Sequence, residues 1–119
     1  MRNDIEVYFN SRCSKCRTLV KLLTERGLEV GYRHYLDSPL SREEIEVLLE
    51  KLGLVDPAQI VRKEEAVYTE LGLASATRAG LMNALARHPI LLERPIVCRN
   101  GKAVIARPPE LAFALLESD

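Results

Sequence analysis

A chain of 119 residues falls in the range of one ordinary domain and is long enough to bury a core without disulfides or metal staples. Lysine plus arginine and aspartate plus glutamate stand at 17 each. That balance argues against a whole-surface attraction to nucleic acid or to an anionic membrane. Three cysteines, Cys13, Cys16 and Cys98, are too few and odd in number for a secreted disulfide framework. The polar start, Met1 to Glu6, has no apolar stretch of a signal peptide, and no apolar run is long enough to span a bilayer. A cytoplasmic protein is expected.

Ile5-Glu6-Val7-Tyr8-Phe9 alternates and reads as a strand, followed by the loop Asn10-Ser11-Arg12. Ser14 to Arg26 follows a helical period, with Leu19, Leu22 and Leu23 on one face, and Gly27 stops it. Glu29 to Leu36 is expected as a second strand. Strand, helix and strand in this order imply a parallel pair.

Ser41-Arg42-Glu43-Glu44 has the form of a capping box opening a helix whose buried stripe is Ile45, Leu48, Leu49 and Leu52, with Gly53 at its end. Asp56-Pro57 starts a short helix, and Glu64–Leu71 and Thr77–Arg87 continue the helical pattern as far as Pro89. Ile96 to Arg99 and Lys102 to Ile105 flank Asn100-Gly101, the strongest short hairpin signal. A helix from about Pro109 to Glu117 closes the chain. The reading is an α/β protein of thioredoxin-like (glutaredoxin-like) order, a single domain over 1–119. Its mixed sheet carries an all-helical insertion, about residues 40–90, between a β-α-β half and a β-β-α half.

The chemistry centres on Cys13-Ser14-Lys15-Cys16, which follows the first strand and opens the first helix. Unpaired N–H groups and the dipole at a helix start favour a thiolate, as do the nearby cations Arg12, Lys15 and Arg17. Cys13 is the expected nucleophile. Cys16, one turn on, is placed to attack a bond formed on Cys13. Burial of both cysteines as small hydrophobes is the weaker reading, because the flanks are basic. A zinc site is poorly served by one such pair, one distant cysteine and two scattered histidines. Cys98 shares a strand face with Ile96 and fits core packing, and His34 and His88 fit structural or exposed roles. Arg62, Arg94 and Arg107 each follow an apolar stretch, and two precede proline. Taken singly, such arginines are usually solvated. If they converged on Cys13, their guanidinium forks would match a tetrahedral oxyanion.

Tyr8-Phe9-Asn10-Ser11-Arg12-Cys13, Leu36-Asp37-Ser38-Pro39, Ile60-Val61-Arg62-Lys63, His88-Pro89-Ile90-Leu91, Arg94-Pro95-Ile96-Val97 and Arg107-Pro108 together resemble the ArsC family, the glutaredoxin-linked arsenate reductases and their relatives. The resemblance implies a thiol–arsenate adduct on Cys13 and release of arsenite by glutathione with glutaredoxin. It implies oxyanion binding by Arg62, Arg94 and Arg107, and a cis Arg94-Pro95 bond. Asn10 and Ser11 are expected to bind the substrate with these arginines, shaping the loop and orienting the thiolate. No tightly bound cofactor or metal is implied, and a monomer is expected. Two departures stand out. Phe9 occupies a position where family reductases often carry histidine. Cys16 replaces a typical serine, which opens recycling through a Cys13–Cys16 disulfide and thioredoxin. Two other readings stay open. One is a redox-sensing regulator of the related Spx type, bound to a protein partner, although such chains lack Arg107-Pro108. The other is an oxidoreductase of this family without arsenate activity.

Overall fold

A computed structural model describes residues 5–117. Four strands, β1 (Ile5–Tyr8), β2 (Val30–Arg33), β3 (Ile96–Arg99) and β4 (Lys102–Ile105), form one sheet in the order β2-β1-β3-β4. β1 pairs parallel with β2 and antiparallel with β3, and β3 pairs antiparallel with β4. The helices are α1 (Ser14–Glu25), α2 (Arg42–Leu52), α3 (Ala66–Glu70), α4 (Arg78–Arg87) and α5 (Leu111–Glu117). Short 3-10 turns at Pro57–Ile60, Leu73–Ser75 and Pro89–Leu91 join the middle helices. The chain thus runs β-α-β, helices, β-β-α, the thioredoxin-like order with its helical segment between the halves.

Alternation along the strands gives the sheet two apolar faces. Ile5, Val7 and Val97 meet Leu19 and Leu23 of α1 and Ala112 of α5. On the opposite face Tyr8, Ile96 and Cys98 join Ile45, Leu48 and Leu49 of α2 and Met82 and Leu85 of α4. Cys98 is therefore a core residue, as expected from its place beside Ile96. The middle helices cover the face that α1 and α5 leave open.

Local signals explain most boundaries. Ser41 Oγ accepts from the Glu44 N–H at 3.1 Å while Glu44 Oε1 accepts from the Ser41 N–H at 2.9 Å, so the capping box is complete. Asn100 and Gly101 both have positive φ, 53° and 76°, as the two-residue hairpin turn demands. Arg94-Pro95 is cis, and so is Arg107-Pro108, which the sequence reading did not foresee.

Two expected elements are shorter. β2 stops at Arg33 because the chain turns there: the N–H groups of Asp37 and Ser38 both donate to His34 O. It is also an edge strand, where pairing is available on one side only. The helix expected over Glu64–Leu71 begins only at Ala66, because Glu65 is its extended cap residue and the Glu65 N–H closes a turn onto Arg62 O.

Candidate active site

The loop after β1 is built by Asn10. Its side-chain Oδ1 accepts from the Arg12 N–H at 2.9 Å, and its carbonyl accepts from the Cys13 N–H at 3.0 Å. Such a side chain mimics a backbone turn. Asn10 is one of the few polar side chains in the interior, 4% exposed. Ser11 is exposed and accepts from Arg17 Nη1 through its carbonyl at 2.7 Å. The two residues thus fold the loop that delivers Cys13 to the cap position of α1.

Cys13 has extended backbone angles (φ −91°, ψ 119°) and its carbonyl accepts the first helical hydrogen bond, from Arg17 N–H at 3.1 Å. Burial is the largest influence on its thiol and opposes ionisation. It is outweighed by the Cys16 N–H, the Arg94 guanidinium, the Cys16 thiol and the Lys15 N–H, so the Cys13 pKa lies below that of an ordinary thiol. The helix start thus acts as the sequence suggested. A further cation takes part. Arg12, Lys15 and Arg17 are exposed, and the guanidinium acting on Cys13 belongs to Arg94, which comes from the far end of the chain.

Both thiols are more buried than their basic flanks suggested: Cys13 is 8% exposed and Cys16 fully enclosed. The cause is amphipathic placement, since Cys16 lies on the α1 face that carries Leu19 and Leu23. Burial pushes the Cys16 pKa up to about 12, so this group is a thiol where Cys13 is the better thiolate. No disulfide joins the three cysteines.

The sheet aligns the rest. In the β1–β3 register Tyr8 faces Ile96, so the chain leaving β1 toward Asn10 and the chain entering β3 from Arg94 lie at the same end of the sheet. In the β3–β4 register Ile96 faces Ile105, and just beyond it the Ala106 N–H donates to Pro95 O at 2.8 Å, which brings Arg107 to the same end of the sheet. Arg107 Nη1 donates to Arg94 O at 3.2 Å. Arg62 arrives from the helical segment. Val61 bridges Leu92, and the bridge is flanked by Arg62 N–H to Leu91 O at 2.7 Å and Glu93 N–H to Ile60 O at 2.8 Å.

Two carboxylates then tie the three arginines together. Glu93 Oε1 accepts from Arg62 Nη1 at 3.1 Å and from Arg107 Nη1 at 3.5 Å. Glu65 Oε2 accepts from Arg62 Nε at 3.3 Å and lies 4.0 Å from Arg94 Nη1. Arg94 itself is 13% exposed, and its buried Nε and Nη1 make no hydrogen bond. The Tyr35 hydroxyl is likewise buried, beside the Asn10 side chain and in the electrostatic reach of Arg94, Cys16 and Cys13.

Sequence reading had singled out all three arginines but neither glutamate. The available signals were local: Glu65 follows Arg62 by three positions, and Glu93 directly precedes Arg94. Tyr35 was assigned only to a strand. Phe9, in the position of the family histidine, packs edge-on against Tyr32 at 5.5 Å and His34 at 5.8 Å. His34 is exposed and His88 caps the end of α4. Among the described residues no group of three or more His, Cys, Asp and Glu is placed to hold a metal ion. No helix among them is long and apolar enough to cross a membrane.

A thiol at a helix start stands beside a buried arginine whose Nε and Nη1 make no hydrogen bond. The model of the ArsC family matches residues 8–113. The chain belongs to the ArsC family. It is 42% identical over 115 residues to a protein named arsenate reductase from Neisseria meningitidis, covering 95% of this chain and 98% of that one. Two solved structures share the fold. A putative arsenate reductase from Yersinia pestis has a TM-score of 0.88 at 39% identity, covering 93% of this chain and 99% of the other. An arsenate reductase from Vibrio cholerae has a TM-score of 0.89 at 38% identity, covering 92% and 95%.

Proposed function

We propose that this protein is a thiol-dependent oxidoreductase that reduces arsenate to arsenite through Cys13. The observation that carries the reading is the meeting of a depressed Cys13 thiol with the buried, unpartnered nitrogens of Arg94. The arsenate reductase names of its relatives supply the oxyanion.

In the first step the Cys13 thiolate attacks arsenic. An As–S bond forms, one arsenic–oxygen bond breaks, and the departing oxygen leaves as water after taking up protons from solution. Arg94 neutralises charge on the remaining oxygens, with Arg107 and Arg62 behind it. In the second step a thiol attacks the Cys13 sulfur. A disulfide forms, the As–S bond breaks, and its electron pair stays on arsenic, which leaves as arsenite. Two thiols are thereby oxidised and As(V) becomes As(III).

The second thiol comes from glutathione or from Cys16. Cys16 is adjacent and already acts on the Cys13 thiol. It is also enclosed and protonated, so its attack requires loss of the proton inside the site. A Cys13–Cys16 disulfide is returned to thiols by thioredoxin, and a Cys13–glutathione disulfide by glutaredoxin. Asn10 and Ser11 position the thiolate rather than reducing the oxyanion's charge.

Arsenate-dependent NADPH consumption tests the proposal. It is run separately with glutathione, glutaredoxin and glutathione reductase, and with thioredoxin and thioredoxin reductase. Turnover that disappears in Cys13→Ser is expected. Turnover retained in Cys13→Ser, or none with either couple, would remove arsenate reduction from this site.

A further inference from the structure

The arginines are not free. Arg62 uses all three of its guanidinium nitrogens on carboxylates: Nε on Glu65 at 3.3 Å, Nη1 on Glu93 at 3.1 Å and Nη2 on Glu64 at 3.5 Å. Arg107 shares Glu93 with it at 3.5 Å. The formal charges of Glu64, Glu65 and Glu93 equal those of Arg62, Arg94 and Arg107, although Arg94 reaches only Glu65, at 4.0 Å. That is an unusual setting for a dianion. A tetrahedral oxyanion binds a guanidinium through the same donors that these carboxylates now hold. Balanced formal charges also weaken the electrostatic focusing that would draw an anion in.

Resting on the oxyanion reading above, we infer that Glu93 is an internal competitor for the anion site, holding Arg62 and Arg107 until the oxyanion displaces it. Arg94, whose buried Nε and Nη1 make no hydrogen bond and whose only carboxylate neighbour is Glu65 at 4.0 Å, is the guanidinium most open to the incoming ligand. Glu93 is well placed for this role. It directly precedes Arg94, its carboxylate touches both other arginines, and it is partly solvent-exposed, 25%, so it can swing toward water. Its backbone is pinned by the Ile60 carbonyl, which leaves the side chain as the moving part. The consequence is selectivity. Only an anion whose oxygens satisfy several guanidiniums together replaces what the carboxylate already supplies.

A merely structural Glu93 and a competing Glu93 give opposite signs. If the carboxylate organises the arginines, removing it weakens anion binding. If it competes, removing it tightens binding. The test is calorimetric titration of inorganic arsenate into the Cys13→Ser protein, which binds without turnover, and into the same protein carrying Glu93→Gln or Glu93→Ala. Glu93→Gln keeps the shape and removes the charge, and Glu93→Ala removes both.

Both changes are expected to lower Kd by about two- to fivefold, the size of a partly exposed ion pair released from competition. In the protein with Cys13 intact, KM for arsenate falls by a similar factor and kcat moves less. Binding that is unchanged or weaker in both variants overturns the competition, while measurable arsenate binding to the parent leaves the oxyanion reading standing. Absence of arsenate binding in the parent and in both variants overturns the oxyanion reading and this inference with it.

Discussion

Arg62 Nη1 donates to Glu93 Oε1 at 3.1 Å across a separation of 31 residues. Neither residue lies in a named strand or helix. The contact exists because the chain after Pro57–Ile60 pairs with the chain before β3 through the Val61–Leu92 bridge. A helical segment that otherwise only covers one sheet face therefore contributes a cation to the thiol end of the sheet.

Arg94 makes the first prediction. It is the guanidinium acting on Cys13, and its donors are spare. Arg94→Ala is expected to reduce arsenate-dependent kcat/KM by about 10²–10³, the loss seen when one preorganised donor at a developing charge is removed. Steady-state assays with the productive thiol couple check this. A loss under threefold would take Arg94 out of the site.

Cys13 should titrate lower in the folded protein than in the chain unfolded by urea, since its pKa is depressed by the Cys16 N–H and Arg94 against the opposing effect of burial. Iodoacetamide rates measured against pH, in protein where Cys16 and Cys98 are replaced by serine and alanine, give both values. Arg94→Ala should move the folded value back up. Equal titrations in folded and unfolded chains would contradict the helix-start account.

Cys16 has the opposite shift, raised to about 12 by burial, and Cys98 is raised by burial to about 11. Groups held neutral in the fold stabilise it below their unfolded pKa and withdraw that stability as pH rises through the window up to the folded value. The unfolded window opens at about 8.5. Melting temperature is therefore expected to fall from about pH 8.5 upward, and Cys98→Val should flatten the fall. A flat profile to pH 10.5 would contradict the buried-thiol description.

Ser41 gives a stability prediction independent of the site. Its hydroxyl and Glu44 satisfy two N–H groups at the start of α2. Ser41→Ala should cost about 1 kcal/mol of unfolding free energy in urea titration with little change in kcat. A neutral result would mean that water serves the cap equally well.

How far the sequence reached depends on whether a signal was local. The capping box, the Asn100-Gly101 turn and the Cys13 cap position are short-range patterns and appear as read. The end of β2 was misread because Tyr35 and Leu36 look like strand residues. Yet Tyr35 is fully buried outside the strand, in the cluster under α2 and α4. The burial of Cys16 is also periodic: it shares a helix face with Leu19 and Leu23, a pattern legible beside the basic neighbours that drew attention away.

The arginine cluster was the least legible part. Arg62, Arg94 and Arg107 stand at loop positions, so no period marks them, and they approach through the loops at one end of the sheet and one isolated bridge. A family resemblance named them, but it said nothing of Glu65 and Glu93. Those two, with Glu64, set three carboxylates against the three cations. Only long-range pairing reveals that.

In the proposed reaction Cys13 delivers the first of two thiols that reduce arsenic. The most direct measurement is arsenite formed in a single turnover. Fully reduced protein is mixed with arsenate without any external donor, then quenched for arsenic speciation and intact mass. Up to one arsenite per chain is expected from the wild type, with a mass lower by two hydrogens for the Cys13–Cys16 disulfide, and none from Cys13→Ser. Cys16→Ser should form arsenite only when glutathione and glutaredoxin are added. Arsenite from Cys13→Ser, or none from the wild type even with glutathione and glutaredoxin while Cys13 remains alkylatable, would contradict this reaction.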